Sequence, residues 1–166
     1  MDFTVIQGDI AAQRADALVN AANTGLRMGS GVAGALRKAA GEQLNDEAVS
    51  KGPVDLGGVA VTDAYDLDAE YVIHAAAMPP GGQASADSIR DATRNTLERA
   101  DELGCESLVV PAIGTGVAGF SLREGAEIIC EEIADFAPDS LDDVRVIAYS
   151  DDAYETIQDV AADVSG

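Results

Sequence analysis

SLVVPAIGTGVAGFSLREGAEIICEEIADF, residues 107–136, passes from an apolar run through a glycine-rich turn into a segment of helical spacing. The β-branched stretch Ser107–Pro111 predicts a strand. Ala126, Ile129, Ile133 and Phe136 recur at three- and four-residue steps, the stripe of a helix buried on one side. Ser121, with Glu124 three residues later, reads as a capping box, so that helix begins directly after the turn. Between strand and helix, Gly114, Gly116 and Gly119 spell G-x-G-x-x-G. A strand, a glycine loop and a helix in that order make the unit from which α/β sheets are assembled.

The same alternation extends through the chain. Strand-like runs lie at Phe3–Gln7, Ala17–Ala21, Val59–Thr62, Tyr71–Ala75 and Val144–Tyr149. Helical stripes lie at Val32, Leu36 and Ala39/Ala40, with Leu44 and Ala48 as a continuation or second piece. Others lie at Ile89, Ala92, Thr96, Ala100 and Leu103, and at Tyr154, Ile157, Ala161 and Val164. Gly104 closes the helix that starts near Ser85, and Ser150 before two aspartates opens the last one. No helical segment separates Val59–Thr62 from Tyr71–Ala75, which predicts a hairpin. The expected architecture is α/β: about six strands in a mixed, mostly parallel sheet, with helices on both faces.

Composition sets limits. A length of 166 residues, 47% hydrophobic, suits one domain over 1–166. No apolar run reaches the roughly 18–20 residues of a membrane span, and the first residues read as a strand, not a leader. A cytoplasmic protein is expected. Thirty acidic residues against ten basic ones give a net charge of −20. The acids are dispersed, which fits solvation in a salty cytoplasm better than one basic partner. Long-range attraction to a nucleic-acid backbone is not expected. Cys105, Cys130 and a single histidine cannot assemble a four-ligand zinc site, so both cysteines read as buried thiols, and neither metal nor cofactor is expected.

The chemistry lies in two glycine loops. Ligands of such sheets bind beyond the carboxyl ends of the strands, where bare backbone N–H groups and a helix N-terminus favour an anion. Gly114–Gly119 fits that description, and so does Asn23-Thr-Gly-Leu-Arg-Met-Gly29-Ser-Gly31-Val32. Two such loops on one sheet edge suggest two linked phosphates, hence a nucleotide-type ligand. The lysine of a triphosphate-hydrolysing loop is missing; Lys38 lies within the helix. A dinucleotide-binding Rossmann site, with Asp151 on a ribose, is the alternative.

Several stretches, in order, are GDI at 8–10, ALVNAAN at 17–23, GSGVAGALRKAAG at 29–41, GGVAVTDAYDL at 57–67, YVIHAAA at 71–77, PAIGTGVAGF at 111–120 and VIAYSDDAYETI at 146–157. Together they resemble the macrodomain family, the ADP-ribose-binding modules, over nearly the whole chain. The resemblance implies a three-layer α/β/α sandwich and ADP-ribose, free or attached to protein, as partner. It implies a site made of Gly8, Asp9 and Ile10; of Ala22, Asn23, Gly29, Ser30, Gly31 and Val32; and of Pro111, Ala112, Gly114, Thr115, Gly116, Val117, Ala118, Gly119 and Phe120, with Tyr149. In it Asp9 accepts from the adenine amino group, Tyr149 stacks on the base, and the Gly114–Phe120 loop wraps the diphosphate. Phe120 borders the distal ribose and Asn23 faces its hydroxyls or a water.

Each assignment has a plainer counterpart. Asp9 also suits an N-cap for the residues after it, and Tyr149 suits strand-end packing. His74, on an apolar strand, reads as a hydrogen-bonded core residue, and Asn20 as a brace for the neighbouring loop. The family contains both ADP-ribose readers and hydrolases of ADP-ribosyl conjugates: mono-ADP-ribosylated protein, acetylated ADP-ribose or the 1''-phosphate. One hydrolase branch has an aspartate where this chain has Ala33. The expected activity is therefore hydrolysis by a positioned water with Asn23 as the catalytic residue, and the alternative is binding alone.

Overall fold

The structure, a computed structural model, describes residues 1–115 and 119–165. The chain runs β1 (Thr4–Gln7), a 3-10 turn (Ile10–Ala12), β2 (Ala17–Asn23), α1 (Gly31–Ala40), α2 (Glu42–Lys51), β3 (Val59–Asp63), β4 (Tyr71–Met78), α3 (Ala86–Glu102), β5 (Ser107–Pro111), α4 (Leu122–Asp135), β6 (Asp143–Ala148) and α5 (Asp151–Ser165). The six strands form one sheet in the order β1-β6-β5-β2-β4-β3. Every pairing is parallel except the edge hairpin β3–β4. The predicted mixed sheet and its single hairpin are both present.

Period-two alternation assigns the strand side chains to two cores. Ala17 and Val19 of β2, Ile73 and Ala75 of β4, and Leu108 and Val110 of β5 face the side covered by α3, α4 and α5. Leu18, Ala22, Val72, Val109 and Ile147 face the side covered by α1 and α2. The result is three layers. Ile129 and Ile133 of α4 are fully buried on the first side, and truncating either to alanine removes packing worth about 2–5 kcal/mol.

The helix ends follow the local sequence. The Ser85 side chain accepts from the Ser88 amide while Ser88 returns the bond, closing a box at the start of α3. At its other end Gly104 N–H donates to Asp101 and Cys105 N–H to Ala100, a Schellman motif. Ser121 caps α4 through the Glu124 amide at 3.3 Å, and Ser150 caps α5 through Ala153 at 3.2 Å. Leu44 and Ala48 belong to a second piece, because the chain breaks between α1 and α2 at Gly41. Both cysteines are buried thiols, and burial pushes Cys105 up to about 11 and Cys130 up to about 12. Among the described residues no helix is long and apolar enough to cross a membrane.

Candidate ligand site

The parallel strands β1, β2, β5 and β6 all end at the same edge, and their following loops meet there. A cavity of about 820 Å³ opens on the α1 side of that edge, within the range of small-molecule sites. It is lined by Gly8, Asp9, Ile10 and Ala11 after β1, by Gly31, Val32, Ala35, Lys38 and Ala39 of α1, and by Pro111, Ile147 and Tyr149.

Helix α1 serves two surfaces at once. Ala33, Leu36 and Ala40 face the core, while the adjoining stripe of Val32, Ala35 and Ala39 lines the cavity. The N-terminal turn of α1 opens onto the same space. Ser30 holds the N-cap position, yet its side chain makes no capping bond. Its counterparts Ser85 and Ser121 do cap their helices. The first-turn N–H groups of α1 are thus left to an outside acceptor, with the positive end of the helix dipole behind them.

Asp9 is an N-cap. Its Oδ1 accepts from the Ala11 amide at 2.9 Å, so the plainer of its two readings holds. Among the described residues Oδ2 has no protein partner. Asp9 lines the cavity as well, so capping uses only half of the carboxylate. Tyr149 is 81% exposed at the cavity mouth, which excludes strand-end packing as its role.

The loop from Asn23 to Ser30 is built by hydrogen bonds. Asn23 Oδ1 accepts from the Gly25 amide at 3.0 Å in an Asx turn, which leaves Nδ2 as the outward donor. Met28 is fully buried. Its amide donates to Asn45 Oδ1 at 2.9 Å, and its carbonyl accepts from Arg37 at 2.7 Å.

In the second loop, Gly114 has φ 75 and Gly119 φ 80, a left-handed conformation that favours glycine. A Cβ on Gly114 would lie 2.8 Å from Ala84 and Ile89, so this residue sits tight against α3. A Cβ on Gly119 would meet the Gln83 amide at 3.0 Å. Thr115 and Phe120 form a parallel bridge, closing the base of the loop. Gly116, Val117 and Ala118, assigned to the ligand from sequence, lie outside the described residues.

Seven of the sequence-assigned residues therefore share the cavity: Gly8, Asp9, Ile10, Gly31, Val32, Pro111 and Tyr149. Ala22, Asn23, Gly29, Ser30, Ala112, Gly114, Thr115, Gly119 and Phe120 do not line it. They lie on the flanking loops and the strand ends that feed them. Ala11, Ala35, Lys38, Ala39 and Ile147 also line the cavity, though the sequence does not assign them to the site. The stripe one and two turns beyond Val32 signals Ala35 and Ala39, and the strand position two before Tyr149 signals Ile147.

Asn20 does not brace the loop. Its Nδ2 lies 3.0 Å from His74 Nδ1, and His74 Nε2 lies 3.0 Å from the Thr62 hydroxyl, which donates to the Asp63 carbonyl. With Asn20 donating, the ring carries its proton on Nε2 and the bonds run in one direction. His74 is fully buried, and desolvation drives its pKa down to about 4. It is a neutral core histidine outside the cavity.

The sequence model of the family described as Macro domain matches residues 19–129, more than half of the chain. An uncharacterized protein of Mycobacterium tuberculosis is 44% identical over 153 residues, which cover 92% of this chain and 43% of that protein. The chain thus spans less than half the length of that relative. An uncharacterized protein of Saccharolobus solfataricus is 39% identical over 164 residues, covering 96% of this chain and 92% of its own. Among solved structures, an Oceanobacillus iheyensis macrodomain with ADP superposes with a TM-score of 0.87 at 27% identity, covering 99% of this chain and 93% of that one. A Trypanosoma brucei macrodomain in complex with ADP-ribose gives a TM-score of 0.84 at 30% identity, covering 93% and 67%.

Proposed function

This chain belongs to the Macro domain family, and from that membership we propose that its cavity binds ADP-ribose. The observation that carries the reading is the uncapped N-terminus of α1 opening into the same cavity as Asp9 and Tyr149. One end offers backbone N–H groups and a helix dipole to a diphosphate. The other offers a carboxylate oxygen and an exposed aromatic face to a purine. The ligands named for the Oceanobacillus and Trypanosoma macrodomains, ADP and ADP-ribose, contain both groups.

In this arrangement Asp9 Oδ2 accepts from the adenine amino group and Tyr149 stacks on the base. Gly31 and Val32 hold the diphosphate from one side, and the Gly114–Phe120 loop holds it from the other. Asn23 Nδ2 donates to the distal ribose. Calorimetric titration tests the reading: ADP-ribose binds at micromolar affinity and more tightly than NAD. Tighter binding of NAD would point to a Rossmann-type dinucleotide site instead.

The finer proposal is hydrolysis of ADP-ribosyl conjugates. Ala33 provides no carboxylate, and Asp9, the one acidic side chain among the described residues lining the cavity, is assigned to the adenine in this reading. The chain contributes positioning: Asn23 orients the distal ribose and the glycine loop orients the diphosphate beside an attacking water. Incubation with ADP-ribosylated protein, acetylated ADP-ribose and the 1''-phosphate, read by mass spectrometry, separates a hydrolase from a reader. Intact substrates after prolonged incubation leave binding as the function.

A further inference from the structure

Among the described residues the cavity wall carries one basic side chain, Lys38, and the charge pattern of the chain makes it an exception. Acidic residues outnumber basic ones by 30 to 10, so almost any basic side chain has a carboxylate nearby. Eight of the ten do, within 4.0 Å; among the described residues only Arg27 and Lys38 have none. The contrast is sharpest between sequence neighbours. Arg37 is held by Glu42 at 2.6 Å, whereas Lys38, one residue on, is exposed at the cavity wall without an ion pair. Among the described residues the one other charged residue lining the cavity is Asp9, whose Oδ1 is already bonded to Ala11. Long side chains on a helix lean toward its N-terminus. Lys38 stands two turns after Gly31 on the same face of α1, both residues lining the cavity, so a side chain leaning that way brings its ammonium toward the uncapped first turn.

We propose that Lys38 is a specificity-determining residue that makes the cavity select anionic over neutral occupants. A net charge of −20 repels any anion approaching from solvent. Lys38 reverses that sign locally and supplies a counter-charge to the ligand's diphosphate. The inference rests on the ADP-ribose reading of the cavity. For two negative charges about 8 Å from the ammonium in water, Coulomb's law gives roughly a six-fold gain in affinity, which added salt screens.

Titration of the native protein, Lys38→Gln and Lys38→Arg with ADP-ribose, and with adenosine as a neutral probe, tests this at about 0.2 M and about 2 M salt. Circular dichroism confirms the fold of each sample. Screening at about 0.2 M leaves about a third of that energy, so Lys38→Gln is expected to lose about two-fold in ADP-ribose affinity at the lower salt and nothing measurable at the higher. Adenosine binding is unchanged, and Lys38→Arg matches the native protein. Native affinity of Lys38→Gln for ADP-ribose at the lower salt overturns the proposal, and so does an equal loss for adenosine, which would mark a packing contact. A native protein that fails to bind ADP-ribose at either salt overturns the ADP-ribose reading itself, a result distinct from both.

Discussion

Replacing Asp9 separates the two uses of its carboxylate. Oδ1 caps the 3-10 turn through the Ala11 amide at 2.9 Å, and Oδ2 has no partner among the described residues. Asp9→Ala removes both. Loss of an N-cap costs about 1 kcal/mol, which in a domain of this size lowers the melting temperature by about 2–4 °C. Loss of a hydrogen bond to a charged acceptor costs about 1.5–3 kcal/mol, or roughly a 10- to 150-fold weaker complex with ADP-ribose. Asp9→Asn is the sharper probe. Asparagine caps as well as aspartate, so its oxygen stays on the Ala11 amide and its NH2 takes the place of Oδ2. A donor then faces the donor group of adenine. The asparagine variant is expected to melt with the native protein and to bind as weakly as the alanine variant. Differential scanning calorimetry beside isothermal titration, on the same samples, reads both quantities. An asparagine variant with native affinity would refute the adenine contact and leave Asp9 as a cap alone.

Three further outcomes follow from other parts of the molecule. His74 has a pKa of about 4 when folded and about 6.5 when unfolded, so the unfolded chain takes up its proton first. The stability due to neutral His74 is full above about pH 6.5 and falls by roughly 3 kcal/mol as the pH drops to about 4. Denaturant melts of the native protein and His74→Gln should show their stability gap closing over that window, and a constant gap contradicts a buried neutral ring. Gly119→Glu places a side chain at φ 80, costs about 1–2 kcal/mol of backbone strain, and adds a negative charge to the loop. ADP-ribose binding should vanish while circular dichroism retains α4, whose Ser121 cap is independent; a folded variant with native affinity removes this loop from the site. With a net charge of −20, the melting temperature should fall as salt is lowered from about 2 M to about 0.1 M, because screening weakens; an unchanged value would show that repulsion does not limit folding.

The parts legible in the sequence were those coded by neighbours along the chain. The strand runs, the serine caps and Gly104 each carry their signal within a few residues, and all were located, although β2 and β4 run two or three residues past their expected ends. The split between α1 and α2 was ambiguous because Leu36, Ala40, Leu44 and Ala48 keep a helical step across the break at Gly41. The role of Asn20 was hidden for a different reason. Its partner His74 stands opposite it only in the β2–β4 register, and Thr62 reaches the same ring from β3. No local pattern encodes that register. The cavity was legible in its loops and less so in its wall: Ala35 looks like ordinary helix surface and Ala39 like part of the core stripe until the 3-10 turn after β1 packs beside α1.

Met28, bonded at its amide by Asn45 and at its carbonyl by Arg37, changes what binding must supply. Fixing one residue's backbone costs about 1–2 kcal/mol, and for the segment around Met28 that cost is met during folding, offset by a fully buried side chain. A ligand reaching the first glycine loop finds the segment around Met28 already held by contacts within the chain, which lowers the ordering cost of binding. Encounter is then governed by diffusion and charge, and preferences among ligands appear as differences in how long each complex lasts. Arg37 and Asn45 hold the loop from behind without lining the cavity.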